Sequence, residues 1–162
     1  MKKIIIAGFA LLLYASGKAQ VSDTTSLFKT MKHLDSLLFE TGFNKCQVSV
    51  YDNIVSDDLE FYHDVGGITS GKAAFKASIQ NNICNNSDQP KRRLVKGSMQ
   101  VYPLYKNQQL YGAIQEGRHV FFILSNGQYK KSGTAKFTEL WLLENNRWKL
   151  KRVLSFDHKA AQ

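Results

Sequence analysis

Proline is close to absent: Pro90 and Pro103 are the only two in 162 residues, and glycine stops at 11. Fibrous and low-complexity chains need far more of both, so neither class fits. Cysteine is as sparse, with Cys46 and Cys84 alone. No Cys-x-x-Cys pair and no His-Glu-x-x-His pattern occurs, so the common zinc spacings are missing and no metal is expected. The serine nucleophile elbow, the phosphate-cradling glycine loop and the dinucleotide fingerprint are missing too, and no cofactor is implied. These absences remove the commonest enzyme classes. There is no internal repeat, and no apolar run reaches the ~20 residues of a comfortable membrane span.

What is present begins with Lys2-Lys3, an apolar run from Ile4 to Leu13, and the small residues Gly17 and Ala19 flanking Lys18. This reads as a signal peptide over residues 1–19, cut after Ala19, with a single domain over 20–162; a retained N-terminal anchor is the alternative. No cysteine follows the apolar run, which argues against lipid attachment. The expected product is periplasmic or secreted, with no stable membrane insertion after cleavage. Hydrophobic residues make up 43% of the chain, enough for one sizeable core. In an oxidising compartment Cys46 and Cys84 either pair or stay as two buried thiols, and sequence leaves both open.

Acidic residues are the scarcer charge, 13 against 22 basic, for a formal net charge of +9. Losing Lys2, Lys3 and Lys18 lowers that charge without reversing it. The remaining basic residues come in pieces, Lys91-Arg92-Arg93, Lys130-Lys131 and Lys149-Lys151-Arg152. They lie on no single recognition helix, so no nucleic-acid partner is expected, and they read as solvated strand edges that discourage edge-to-edge association.

Ser22 or Asp23 is placed to cap a first helix whose Leu27, Phe28, Met31, Leu34, Leu37 and Leu38 recur at three and four, with Gly42 ending it. Asn44 is placed to cap a second, shorter helix carrying Cys46, Val50, Ile54 and Val55. Alternation from Leu59 to His63 predicts a strand with Leu59, Phe61 and His63 on one face and Glu60, Tyr62 and Asp64 on the other. After the Gly66-Gly67 turn come a brief strand at Ile68-Thr69 and a third helix, capped by Ser70, with Phe75, Ile79 and Ile83 on one side. Four long strand-like runs follow, Lys91 to Tyr105, Leu110 to Leu124, Tyr129 to Leu143 and Arg147 to Asp157, joined by links that include Asn126-Gly127 and Asn145-Asn146. Strands of that length twist and curl, and the helices supply apolar faces to fill the hollow. The class is α+β: a curved mixed sheet, mostly a long antiparallel meander, wrapped around three N-terminal helices.

That order, together with Ser56-Asp57-Asp58-Leu59-Glu60-Phe61-Tyr62-His63-Asp64-Val65-Gly66-Gly67, Ser70-Gly71-Lys72-Ala73-Ala74-Phe75 and the ending Trp148-Lys149-Leu150 to Ser155-Phe156-Asp157-His158, resembles the nuclear transport factor 2-like superfamily over roughly residues 24–158. Within it, the pattern is most similar to SnoaL-like domains of unknown function grouped beside ketosteroid isomerases and polyketide cyclases. The resemblance implies a cone-shaped fold around a cavity. It lays His63 on the position of the isomerases' carboxylate base, a role that a neutral imidazole with a pKa of ~6.5 is able to fill. It lays Glu139 where a protonated acid donates to a developing oxyanion. Residues 22–43 hold no Tyr, with Phe39 or Phe43 in the place of the isomerases' second donor. Losing one oxyanion donor costs ~10²–10³ in rate, so steroid-type isomerisation is not expected.

The candidate site therefore pairs His63 and Glu139 as catalytic groups, with Phe137 and Trp141 alternating around Glu139; a buried His-Glu pair that only fixes the core is the competing reading. Arg118 is a candidate anion contact, Tyr62 and Asp64 candidate rim residues, and His119, Asp157 and His158 further candidates. Alternation lets only one member of Arg118-His119 and one of Asp157-His158 face inward unless a bulge intervenes. The expected function is small-molecule binding, with isomerase-, dehydratase- or cyclase-like proton transfer by His63 as the chemistry if it is an enzyme. The alternative is a dimerisation module, as in the association domain of calmodulin-dependent kinases, using Tyr102, Leu104, Phe122 and Leu140. A homodimer is expected under either reading.

Overall fold

The computed structural model describes residues 20–161. The expected signal peptide lies outside the described residues. Helix α1 (Ser26–Asp35) is capped by Thr25, a few residues after the expected Ser22 or Asp23, because the Thr25 hydroxyl accepts the backbone N–H of Phe28 at 3.2 Å. Met31 and Leu34 bury its apolar stripe. From Ser36 to Asn44 the helix continues in wider π-type winding.

Gly42 lies inside this winding and does not end it. A Cβ there would lie 2.3 Å from the Tyr51 ring, so the glycine makes room for the tyrosine, whose hydroxyl donates to the Leu38 carbonyl. The expected second helix is reduced to a 3₁₀ turn at Val48–Val50 and the single turn α2 (Tyr51–Ile54), with Val55 already in the next strand. Cys46 and Cys84 form a disulfide with Cα atoms 5.6 Å apart, tying the segment before that turn to the end of the third helix.

Strand β1 (Val55–His63) turns back through β2 (Gly67–Ser70). Helix α3 (Lys72–Ile79) starts from Gly71, with no side-chain cap from Ser70, and also widens into π-type winding over Gln80–Cys84. The run expected as one strand from Lys91 to Tyr105 is two, β3 (Lys91–Leu94) and β4 (Gln100–Lys106), because the chain turns at Gly97, whose φ is +74°. Both pair antiparallel with β5 (Gln109–Ser125), one at each end of it. Strands β6 (Gln128–Glu144) and β7 (Arg147–Ala160) complete the meander. Residues Asn107-Gln108, Asn126-Gly127 and Asn145-Asn146 turn the hairpins, each with both φ values positive, the backbone that two-residue hairpins favour.

The sheet runs β2-β1-β7-β6-β5-β3, with β4 beside β5, and only β1 and β7 are parallel. It stays open and curves around the helices. Met31, Leu38, Tyr51, Leu59, Trp141 and Leu150 sit at the centre of the core between the two layers. Among the described residues no helix is long and apolar enough to cross a membrane.

Candidate functional site

A cavity of about 470 Å³ lies between the concave sheet face and the helices. Both π-wound segments face it, with Phe39 and Phe43 from one and Asn82 and Ile83 from the other. Such winding is rare and recurs at functional sites. Rings dominate the wall, and besides the Tyr51 phenol, whose hydroxyl is held by the Leu38 carbonyl, three imidazoles and one carboxyl reach it: His63, His119, His158 and Glu139.

The inner end is built on β5 and β6, where Gln115 stands opposite Glu139 and Gly117 opposite Phe137. A Cβ on Gly117 would lie 2.6 Å from the Phe137 ring. Its absence lets that ring stack under His119, with centroids 4.2 Å apart. His119 Nδ1 accepts from Arg92 Nε at 2.5 Å. The same guanidinium forks onto both oxygens of Asp35, at 2.7 and 2.8 Å, and lies 3.7 Å above the Phe39 ring.

Arg92 and Asp35 are both buried, so one residue of the expected solvated strand edge is instead an internal ion pair. Burial first, and then the neighbouring Arg92 charge, hold the His119 pKa well below its ordinary value. His119 is therefore a neutral ring with its proton on Nε2, a fixed donor.

Glu139 is fully buried. Its Oε2 accepts from Trp141 Nε1 at 3.1 Å, while Oε1 has no partner. Burial, reinforced by the Asp35 charge and opposed by Arg92 and the Trp141 N–H, pushes its pKa up to about 8. At neutral pH the side chain is a carboxylic acid, able to donate as well as accept. Beside it, neither polar atom of the buried Gln115 amide has a partner.

The outer end is more exposed. His63 Nδ1 accepts the backbone N–H groups of Val65 and Gly66 at 3.1 and 3.0 Å, which places its proton on Nε2. Desolvation, then the adjacent His158, lower its pKa against an opposing pull from Asp64, so it too is a neutral donor. His158 stacks on His63 at 4.2 Å and gives its Nδ1 proton to Asp64. Burial raises the Asp64 pKa, but the backbone and ring N–H of His158 outweigh it and hold the carboxyl below its usual range.

His63, Asp64 and His158 offer ligand atoms within 4.8 Å of one another. With His63 Nδ1 occupied by two backbone N–H groups and Asp64 holding the His158 proton, however, the cluster does not present a set of converging lone pairs.

The remaining sequence candidates fall elsewhere. Phe137 and Trp141 stand behind the wall, the first under His119 and the second on Glu139. Asp64 holds His158 from the rim. Arg118 is exposed on the opposite face from His119. Tyr62 points outward and donates to Glu60, and Asp157 pairs with Lys136 and Lys159.

Sequence reasoning missed Arg92, Asp35, Gln115 and Ser155. Asp35 was detectable, because it follows Leu34 within the apolar stripe of α1 and an acid there needs a buried partner. Gln115 was detectable by its parity with His119.

No protein-family model matches the chain, and a search of curated proteins also finds no match. Solved structures do. A protein of unknown function with a cystatin-like fold from Nostoc punctiforme superposes with a TM-score of 0.63 at 15% identity, over 81% of this chain and 91% of that one. An NTF-2 like protein of unknown function from Shewanella oneidensis gives 0.57 at 16%, over 82% and 100%. The association domain of CaMKII from C. elegans gives 0.62 at 13%, over 83% and 98%. At such identities the likeness is one of architecture, and the fold of this chain is that of the nuclear transport factor 2-like proteins.

Proposed function

We propose that the protein binds a small, uncharged, largely apolar molecule carrying a carbonyl or hydroxyl oxygen, with that oxygen at the inner end of the cavity. The observation that carries this reading is the Glu139 carboxyl, fully buried on the cavity wall with Oε1 unpartnered. An orphaned buried polar atom costs ~1–3 kcal/mol, and a ligand group that satisfies it recovers that cost. The Glu139 acid and the His119 Nε2–H both donate, while Phe39, Phe61 and Phe121 supply flat apolar contact. The volume lies in the range of small-molecule sites. The Lys2-Lys3 and apolar pattern supports export, so the ligand is one met in the periplasm or outside the cell. If the bound molecule reacts, these donors are suited to stabilise negative charge developing on its oxygen.

A panel of aromatic and alicyclic ketones, followed by thermal shift, tests the site. At a hundredfold excess over Kd a ligand stabilises by ~2.7 kcal/mol, and Glu139→Ala and His119→Ala are expected to abolish that shift. Shifts of unchanged size in both variants would reject the site.

The outer sheet face supports a second reading, self-association. Tyr62 pairs with Leu154 across β1 and β7, and Phe156 lies beside them, at 39%, 45% and 39% exposure. The four residues expected from sequence for that role, Tyr102, Leu104, Phe122 and Leu140, are only half-exposed. Sedimentation is expected to show a dimer that Leu154→Lys dissociates; a monomer at micromolar concentration removes this reading.

A further inference from the structure

Ser155 is a buried nucleophile on the cavity wall that ligand binding at Glu139 does not use. Its Oγ lies 3.4 Å from His158 Nε2. Asp64 grips the other side of that imidazole through Nδ1, and its second oxygen accepts the His158 backbone N–H at 3.2 Å. The Asp64 backbone N–H in turn donates to the Ser155 carbonyl at 3.1 Å, so the three residues form one closed unit between the ends of β1 and β7.

Strict alternation would point Asp157 into the cavity with Ser155. Instead Asp157 adopts φ +59°, the β6–β7 register slips there, and His158 turns inward. A bulge that re-aims one side chain recurs beside active sites, and a left-handed non-glycine backbone is strain that the surroundings must hold. Lys136 and Lys159 hold it, both paired to the Asp157 carboxylate at 3.0 Å.

We propose that Ser155, His158 and Asp64 form an acyl-transfer centre that hydrolyses small, uncharged esters with an apolar acyl or alcohol part, a proposal that rests on the cavity being a ligand site. Because Asp64 holds Nδ1–H, the Nε2 lone pair faces the serine, the tautomer that activation requires. An unliganded serine-histidine contact is commonly looser than the engaged ~2.6–3.2 Å, as it is here. Ser155 Oγ bonds to the ester carbonyl carbon as its proton passes to His158 Nε2 and the carbonyl π pair moves onto oxygen. Collapse of that adduct breaks the bond to the alkoxide, which leaves with the proton from His158. Water then adds to the acyl-serine, giving its proton to His158, and Ser155 departs with that proton, leaving acid and alcohol. His63 and His119, both neutral with Nε2–H on the same cavity, are the donors available to the oxyanion. Asp64 is a positioning residue.

The full-length chain is treated with diisopropyl fluorophosphate and, separately, with p-nitrophenyl butyrate. Intact mass and peptide mapping are expected to show one phosphoryl adduct, on Ser155. Ser155→Ala abolishes both the adduct and the p-nitrophenolate burst. His158→Gln slows adduct formation by about 10²–10⁴-fold, a readout that stands even if the serine variant folds poorly. A native chain that shows ketone-induced thermal shifts but no adduct refutes the nucleophile and leaves the binding site standing. A chain with neither loses both. An adduct that forms on another residue, or at an unchanged rate in His158→Gln, also overturns the proposal.

Discussion

Glu139→Gln is expected to be more stable than the native chain at pH 8 and nearly equal to it at pH 4.5. The folded carboxyl titrates at about 8 against 4.5 in an ordinary environment, so between those values the folded state holds a proton that the unfolded state has released. Stability therefore falls as pH rises through that window, the reverse of a salt-bridged carboxylate. Below the window no penalty exists; above it the accumulated cost is roughly 3–5 kcal/mol, undiminished by solvent because the group is fully buried. Glutamine has the same shape, keeps an oxygen for the Trp141 N–H and never ionises. The difference in Tm between variant and native chain should thus grow with pH to the order of 10 °C by pH 8–9. Comparing the two proteins cancels every other titrating group. A difference that stays flat from pH 4.5 to 9 would mean that Glu139 is not held as a neutral acid, and the donor on which the binding reading depends would be lost.

The residues legible in the sequence were those on regular strands. His63 follows from Leu59 and Phe61 by simple alternation; Glu139 comes from the family resemblance, and the parity of Phe137 and Trp141 around it on β6 agrees with that placement. Strand β7 shows the limit. Its cavity-facing residues are Leu150, Val153, Ser155 and His158, and the uneven spacing comes from two register slips against β6. No local composition signals either slip, because each depends on how β6 and β7 curve together, so Ser155 stayed invisible and His158 could not be oriented.

The π-type windings escaped for a related reason. A ladder one residue wider uses the same apolar stripe for its first turns, so Leu34, Leu37 and Leu38 predict a helix without predicting its pitch. Arg92 was misread because Lys91-Arg92-Arg93 looks like any exposed cationic run. What buries it is Asp35, distant in sequence and on another element.

That ion pair supports the second large effect, and a double-mutant cycle separates its parts. Arg92→Leu alone is expected to cost ~3–5 kcal/mol, about 10 °C in Tm, because Asp35 is left charged and buried without its two donors. Asp35→Leu alone strands the guanidinium at similar cost. In Asp35→Leu/Arg92→Leu neither charge remains, and most of the loss should return, since apolar groups of similar volume commonly replace a buried pair at little cost. Recovery of stability need not recover the site. Arg92 Nε is the donor that fixes the His119 tautomer, and its charge is the opposing influence on the Glu139 carboxyl. The double variant should therefore fold with a Glu139 pKa free of both Asp35, which raises it, and Arg92, which lowers it, while NMR of His119 shows its proton no longer confined to Nε2. If the single and double variants lose stability additively, the pair contributes as two independent groups. Arg92 would then act on the cavity through packing against Phe39 rather than through charge.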